Sequence, residues 1–527
     1  MLRSRADWAA IFFCLLFIAL GCAWIGELGL QMDEVLFARA VYPPYRADIE
    51  LLGKTRPLML MDYVGAAKAY IWKPIMRNLG ASAATVRVPA VVLGALTIWL
   101  FYLLVKRTLG VRTALTATAL LSVDTNFVLT SRWDWGPVVL QHLLAVAGVL
   151  SVLQFSRDRR KRWLAIGFVL LGLGAWDKAL FFWTFSGLAV ATAAVFPRRV
   201  WRLLTWRNVA VATGSLAVGA MPLIVYNVKY PLATFRQSSW SWQENVGQKA
   251  RAFVITLQGG GLLGSIVREE WDGPVREPDD AIKRAWVSTA RAAGMPRTNG
   301  YAHLAGLALA LAPFVWRSTA ARAVLFVLIY CAVAWVQMAF TVGAGGSTHH
   351  TVLLWPFPHL AIAAVLAEVS RRLGRSGIPA LAFVAVTACL SSLAVIGTTY
   401  TNMLRNGGVK EWTDAIYPAA AAVQEMKPAF VCVLDWGLYE NTFLLSQGRT
   451  SMCAAPDPAA DPDAVKEQIR TPGIVYITHT EANRLYPEIT KGYLSIAESE
   501  GFRIAESRVL HDYNGRPIIE VFKLYKP

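Results

Sequence analysis

The chain has 527 residues, 55% of them hydrophobic and only 17% charged, and carries a net charge of +17. A soluble globular chain carries about 25% charged residues, so that class is excluded. Nucleic-acid binding is excluded as well, because the basic residues sit in short segments between apolar runs and do not cluster on a polar domain.

The apolar runs lie at 8–30, 86–105, 113–130, 136–155, 163–176, 179–196, 208–228, 301–316, 321–342, 351–368 and 377–399. A membrane-spanning helix needs about 20 such residues, so the pattern predicts a polytopic α-helical membrane protein of about eleven spans over residues 1–400, followed by a soluble α/β domain over 401–527. The first run is too long for the apolar part of a signal peptide and lacks a small-x-small exit, so it reads as a retained span.

The segments between the runs alternate in charge. Arg3 and Arg5, Lys106-Arg107 with Arg112, Arg157 through Arg162, Arg198-Arg199 with Arg202 and Arg207, Arg317 with Arg322, and Arg371-Arg372 with Arg375 form a basic set. The positive-inside rule makes these cytoplasmic. It places the N-terminus inside and puts the 31–85 loop, 131–135, Asp177-Lys178, the 229–300 loop, 343–350 and the tail outside. The runs 163–176 and 179–196 are short for spans, so the turn at Asp177-Lys178 is expected to dip into the membrane.

In the first outward loop, Met32 to Val41 reads as a short helix ended by Pro43-Pro44. Its Asp33 and Glu34 are about 100° apart on a helix, so they do not share a face. One can meet a substrate while the other braces the helix; a charge pair favoured by the helix dipole is the equal alternative. Leu58 to Leu79 mixes apolar residues with Lys68, Lys73 and Arg77 and is expected to form an interfacial helix. Lys54 and Arg56 precede it.

Ser131-Arg132-Trp133-Asp134-Trp135 is a tight outward turn. Its tryptophans read as interfacial belt residues, and Arg132 and Asp134 could simply pair. Asp177-Lys178 repeats the acid–base pattern. Three outward turns that each carry an acid and a base point to a common polar site.

The 229–300 loop carries Arg236, Trp240, Trp242, Glu244, Gly259-Gly260-Gly261, Glu269, Glu270 and Asp272. The triple glycine lacks the lysine and hydroxyl residue of a phosphate-binding loop and reads as a flexible bend or lid hinge. His349-His350, with His303, are candidates for a phosphate contact or a divalent metal ion, against the alternative of a solvated pair. Cys14, Cys22, Cys331 and Cys389 fall in apolar runs; Cys432 and Cys453 lie in the tail without metal-site spacing and could join only in an oxidising compartment. The tail has strand-like segments at 430–434, 451–454, 474–478, 503–509 and 518–524, with helical stretches at 414–426 and 463–470, and shows no nucleophile or dinucleotide motif.

The order Asp33-Glu34, Arg56-Pro57-Leu58, Arg87-Val88-Pro89 and Asp134 resembles the GT-C glycosyltransferases that use a polyprenyl-phosphate sugar, in the protein O-mannosyltransferase and aminoarabinose-transferase branch. The likeness covers the first 230 residues or so best. It implies a GT-C fold in a bacterial cytoplasmic membrane, an outward site, a lipid-linked donor, and a protein, lipid or glycan acceptor. Asp33 is the implied general base. The 229–300 loop is too short for the large insert of eukaryotic protein mannosyltransferases, the span count is below that of aminoarabinose transferases, and no Trp-Trp-Asp motif is present.

The chemistry fits these residues. A carboxylate can take the proton of an attacking hydroxyl, with Glu34 and Asp134 completing the acidic set. Lys54, Arg56, Arg132, Lys178 or Arg236 could hold the donor phosphate, and one displacement inverts the sugar carbon. The acids could also hold a divalent ion, though no spacing demands one. The rival reading is a transporter or lipid flippase, which calls for an internal repeat and midplane sites; neither is visible. A non-catalytic scaffold is the third reading.

Overall fold

The computed structural model describes residues 4–237, 241, 245–269 and 275–527. Arg3, Trp240, Trp242, Glu244, Glu270 and Asp272 lie outside the described residues.

Every one of the expected apolar runs is helical. Five helices, Arg5–Cys22, Ala83–Leu109, Val139–Asp158, Thr319–Phe340 and the one ending at Asn406, are long and apolar enough to cross a membrane. Two bent helix pairs, Trp206–Gly219 with Met221–Lys229 at 67° and Thr348–Leu354 with Phe357–Arg372 at 54°, are apolar enough when taken together, each as a broken span or a re-entrant loop. The rest are short or broken: Phe181–Val195 and Tyr301–Val315 are short apolar helices, and Val111–Ser122 and Thr125–Arg132 are separated at Asp124. The chain is a multi-pass membrane protein.

The basic segments gather at one end of the bundle. Lys106 pairs with Asp7, Arg157 donates to the Arg107 carbonyl, Arg112 donates to Ser370 and Arg372 to the Phe314 carbonyl. Helix direction then puts the residue 23–82 loop, 133–138 and 178–180 at the other end.

The first loop departs from expectation. Met32–Val35 and Ala38–Val41 are two short helices, and Leu58–Met61 is strand, not helix. Ala47–Leu51 and Lys54–Met61 form an antiparallel hairpin in which Leu51 faces Lys54. Its two-residue turn, Leu52-Gly53, has positive φ at both positions, 54° and 66°, the twist that hairpins prefer. The apolar residues at 58 and 61 fitted a helix because a spacing of three suits one face of a helix, but pairing with residues 47–51 took them into a sheet. The interfacial helix is therefore Ala67–Leu79.

The triple glycine is a close-packed bend and not an open hinge. A Cβ on Gly260 would stand 1.9 Å from the Arg297 carbonyl oxygen, and one on Gly261 would stand 2.1 Å from the Thr348 hydroxyl. The tail is a mixed five-stranded sheet in the order 452–454, 430–433, 474–479, 517–525, 503–511. It packs on the first loop. Gly29 N donates to the Trp412 carbonyl at 3.1 Å, Asn441 donates to the Leu30 carbonyl at 3.1 Å, and Arg39 pairs with buried Glu440.

Candidate active site

The short helix Met32–Val35 is fixed before any partner reaches it. The Gln31 side-chain oxygen accepts from Asp33 N at 2.6 Å, and Gln31 N donates to Glu34 Oε1 at 3.0 Å. This reciprocal cap satisfies helix-end donors that would otherwise be unpaired. The two carboxylates leave the helix in different directions.

Glu34 turns inward. It is fully buried and takes both the Nη2 (2.7 Å) and the Nε (3.1 Å) of Arg87. Arg87, also fully buried, spends its remaining protons on the carbonyls of Ile25, Leu28 and Gly29 at 2.8, 3.0 and 2.7 Å. Every proton of the fork is used, so Glu34 is a positioning residue that ties the 25–34 segment to the start of the second span. It is not free for catalysis.

Asp33 turns outward and is half-buried. Trp135 Nε1 donates to its Oδ2 at 3.0 Å, and the ammonium of Lys178 acts on it electrostatically. Burial pushes its carboxyl above the ordinary aspartate range, against the pull of Lys178 and the Trp135 indole. Trp135 is in turn stacked on His349, ring centroids 4.8 Å apart. The indole is a donor in the site, not only a belt residue; a tryptophan beside an aspartate in an outward turn was the available signal.

Lys178 is delivered by pairing between chain segments. Val64 bridges Lys178 as an isolated antiparallel pair, and Ala179 N donates to the Tyr63 carbonyl at 2.8 Å. The approach is close: a Cβ on Gly65 would stand 1.9 Å from the Trp176 carbonyl oxygen. Lys178 Nζ donates to the Gly136 carbonyl. Burial lowers its ammonium to about 8, opposed by Asp33, Asp177 and Asp134, and Asp177 beside it is buried as well.

Asp134 is a brace. Its Oδ1 accepts from Val138 N and Val139 N at 2.8 and 3.0 Å, at the start of the Val139–Asp158 helix, and its Oδ2 pairs with Lys68 Nζ at 2.7 Å. Lys68 also donates to the Glu34 carbonyl at 3.0 Å and lies over Phe37 and Trp72. This lysine, read from sequence only as part of an interfacial helix, joins the first loop to the second turn.

The other expected cations go elsewhere. Arg132 is fully buried at the end of the first span, where it donates to the Gly21, Ala23 and Trp24 carbonyls and lies 5.1 Å from the Tyr400 ring. Helix-end carbonyls lack intrahelical donors, and Arg132 supplies them; it is not available for phosphate. Lys54 is exposed at the hairpin turn. Arg56 opens into a cavity with Lys73 and Arg77, and Arg236 into another with Asp62 and Tyr230. Of the five cations expected at the donor phosphate, only Lys178 stands beside Asp33.

The histidines do not assemble a metal site. His303 is exposed on the helix Tyr301–Leu311. His349 stacks on Trp135. His350 Nδ1 and Ser347 Oγ are 3.0 Å apart. Among the described residues no group of three His, Cys, Asp or Glu could hold an ion. Asp134 is already paired with Lys68, and Asp33 holds the Trp135 indole in the field of Lys178, so the described residues do not assemble a site for a divalent ion.

Residues 67–226 match the family model described as dolichyl-phosphate-mannose-protein mannosyltransferase. The matched stretch holds Lys68, Arg87, Asp134, Trp135 and Lys178 and begins after Asp33. No curated protein matches the chain. Among solved structures, ArnT from Cupriavidus metallidurans bound to undecaprenyl phosphate is similar at a TM-score of 0.59 and 13% identity, covering 98% of each chain. The apo form of that protein is similar at 0.58 and 14%, again covering 98% of each. The apo oligosaccharyltransferase of Archaeoglobus fulgidus is similar at 0.52 and 12%, covering 99% of this chain and 74% of that one. The chain shares the GT-C fold of these proteins, with a C-terminal sheet domain.

Proposed function

We propose that this chain moves a sugar from a polyprenyl-phosphate donor to an acceptor hydroxyl on a lipid, glycan or protein, with Asp33 as general base. One observation carries the reading: a half-buried carboxylate, oriented by the Trp135 indole, lies in the field of the buried ammonium of Lys178 at the end of the bundle away from the basic segments. On this reading, that supplies a base and a phosphate-binding cation in one electrostatic neighbourhood. ArnT, which shares this fold, was captured with undecaprenyl phosphate.

The acceptor O–H gives its proton to Asp33 while its oxygen bonds to the sugar C1. The C1–O bond to phosphate breaks, and the electron pair leaves on the prenyl phosphate. The leaving oxygen is already acidic, so it calls for charge stabilisation rather than a strong general acid. Lys178 provides it as the ammonium. Attack from the face opposite the phosphate inverts C1. Glu34, Arg87, Asp134 and Lys68 hold the loop and turns in register. The positive-inside rule, applied to the basic end, supports an extracytoplasmic site, with the tail on that side and a bacterial cytoplasmic membrane as its setting.

The test offers membranes containing the full chain a panel of radiolabelled polyprenyl-phosphate sugars. The expected result is consumption of one donor with product of inverted anomeric configuration. Binding of a donor without any transfer product would overturn the proposal and favour translocation.

A further inference from the structure

The interfacial helix Ala67–Leu79 carries charge on two faces. Lys68 points inward to Glu34 and Asp134. At about 100° per residue, Lys73 and Arg77 lie about 140° and 180° round the helix from Lys68. On that far side they meet Arg56, from the strand Lys54–Met61, around a cavity of about 390 Å³.

The walls of this cavity are set. The Tyr70 hydroxyl donates to the Pro57 carbonyl at 3.0 Å, and Tyr70 packs against Trp176. Lys73 Nζ donates to the Tyr45 hydroxyl at 2.9 Å and keeps further protons to give. Asn78 stands at the rim. No lining residue is acidic, and among the described residues Arg56, Lys73 and Arg77 have no carboxylate partner. Elsewhere on the same loop, Arg39, Arg46, Lys68 and Arg87 are each paired with one.

Three unpaired cations from two elements, two of them guanidinium forks, suit a doubly charged, tetrahedral oxyanion better than a single carboxylate. We propose that this cavity binds a phosphate group, as a second site distinct from that of Asp33 and independent of the transfer reaction. The phosphate is carried either by a lipid headgroup, reached from an interfacial helix, or by a small soluble molecule.

The test uses the full chain purified in detergent. Native mass spectrometry counts bound phosphatidic acid against phosphatidylcholine, and titration calorimetry measures inorganic phosphate. The double variant Arg56→Gln/Arg77→Gln is expected to bind roughly tenfold more weakly or worse, the scale of one lost charged hydrogen bond. Asn78→Glu, which adds a carboxylate at the exposed rim, is expected to do the same without removing a cation. Loss confined to phosphatidic acid identifies a lipid source, and loss of inorganic phosphate a soluble one. Asp33→Asn is expected to bind both probes as the parent does, and Lys178→Met to lose at most the phosphate held beside Asp33 while keeping the one that depends on Arg56 and Arg77, so failure of the transfer reading leaves this result standing. Equal binding by the Arg56/Arg77 variant and the parent overturns the proposal. So does loss of all phosphate binding in Lys178→Met, which would send the phosphate to the Asp33 site alone.

Discussion

Glu34 and Asp33 are neighbours on one four-residue helix, and the fold surrounds them differently. Around Glu34 there is no solvent and nothing left to add: two nitrogens of Arg87, a backbone amide and three carbonyls on the arginine close the network. Around Asp33 the network is incomplete, with one indole N–H on one oxygen, the field of Lys178 on the carboxylate and a minority of its surface open. A saturated buried pair resists change in either partner, because removing one leaves an uncompensated charge. An incompletely satisfied, partly open carboxylate can exchange a proton with something that arrives. On the proposed function, the difference separates a residue that builds the site from one that acts in it.

The comparison can be broken from the Glu34 side first. Arg87→Ala leaves the Glu34 carboxylate buried and unpaired and is expected to cost about 3–5 kcal/mol of stability, read as a lower thermal midpoint of the full chain in detergent. If Arg87→Ala melts like the parent, the network around Glu34 is not structural. On the Asp33 side, Lys178→Met is expected to leave the midpoint near the parent's and to lower the turnover rate on the order of 10²–10³-fold, the scale of one lost donor at developing charge. A rate within a few-fold of the parent would remove Lys178 from the phosphate.

Trp135→Phe is a smaller perturbation. It deletes a hydrogen bond to a charged group, worth about 1.5–3 kcal/mol, and is expected to slow transfer about ten- to hundredfold. The indole favours the ionised carboxylate, so its loss raises the Asp33 pKa and moves the acid limb of the rate profile to higher pH. An unmoved limb in a slower enzyme would mean that the indole shapes the pocket without touching the base.

The smallest change is in pH alone. Asp33 must be ionised to accept a proton, and its pKa is raised, so transfer falls as pH drops through that raised value. Lys178 must be protonated to hold phosphate, and its pKa is lowered to about 8, so transfer also falls as pH rises through about 8. A bell-shaped profile results, and its basic limb is expected to disappear in Lys178→Met.

Much of this was legible in the chain. The apolar runs give the helices, because burial in lipid demands continuous apolar length, and the alternating basic segments mark one end of the bundle. Asp33 and Lys178 stood out because charges beside apolar runs are few, and their roles remain part of the proposal. What stayed hidden depended on partners far apart in sequence. Arg132 looked like a phosphate ligand until the end of the first span, 109 residues away, took its protons. Asp134 looked catalytic until Lys68 and two backbone amides occupied it. Leu58–Met61 fitted a helix until the strand Lys54–Met61 paired with Ala47–Leu51 on one side and Val64-Gly65 on the other. Arg87 stood in the chain as part of a family pattern, and only its burial opposite Glu34 explains why an arginine begins an apolar span.

The central claim is that Asp33 acts while Glu34 supports. Steady-state transfer from the cognate labelled polyprenyl-phosphate sugar, measured for Asp33→Asn and Glu34→Gln alongside thermal midpoints, tests it directly. Asp33→Asn is predicted to keep the parent's midpoint and lose on the order of 10²–10⁴-fold in rate, the contribution of a positioned general base, while Glu34→Gln is predicted to lower the midpoint. An Asp33→Asn protein that turns over like the parent would contradict the account.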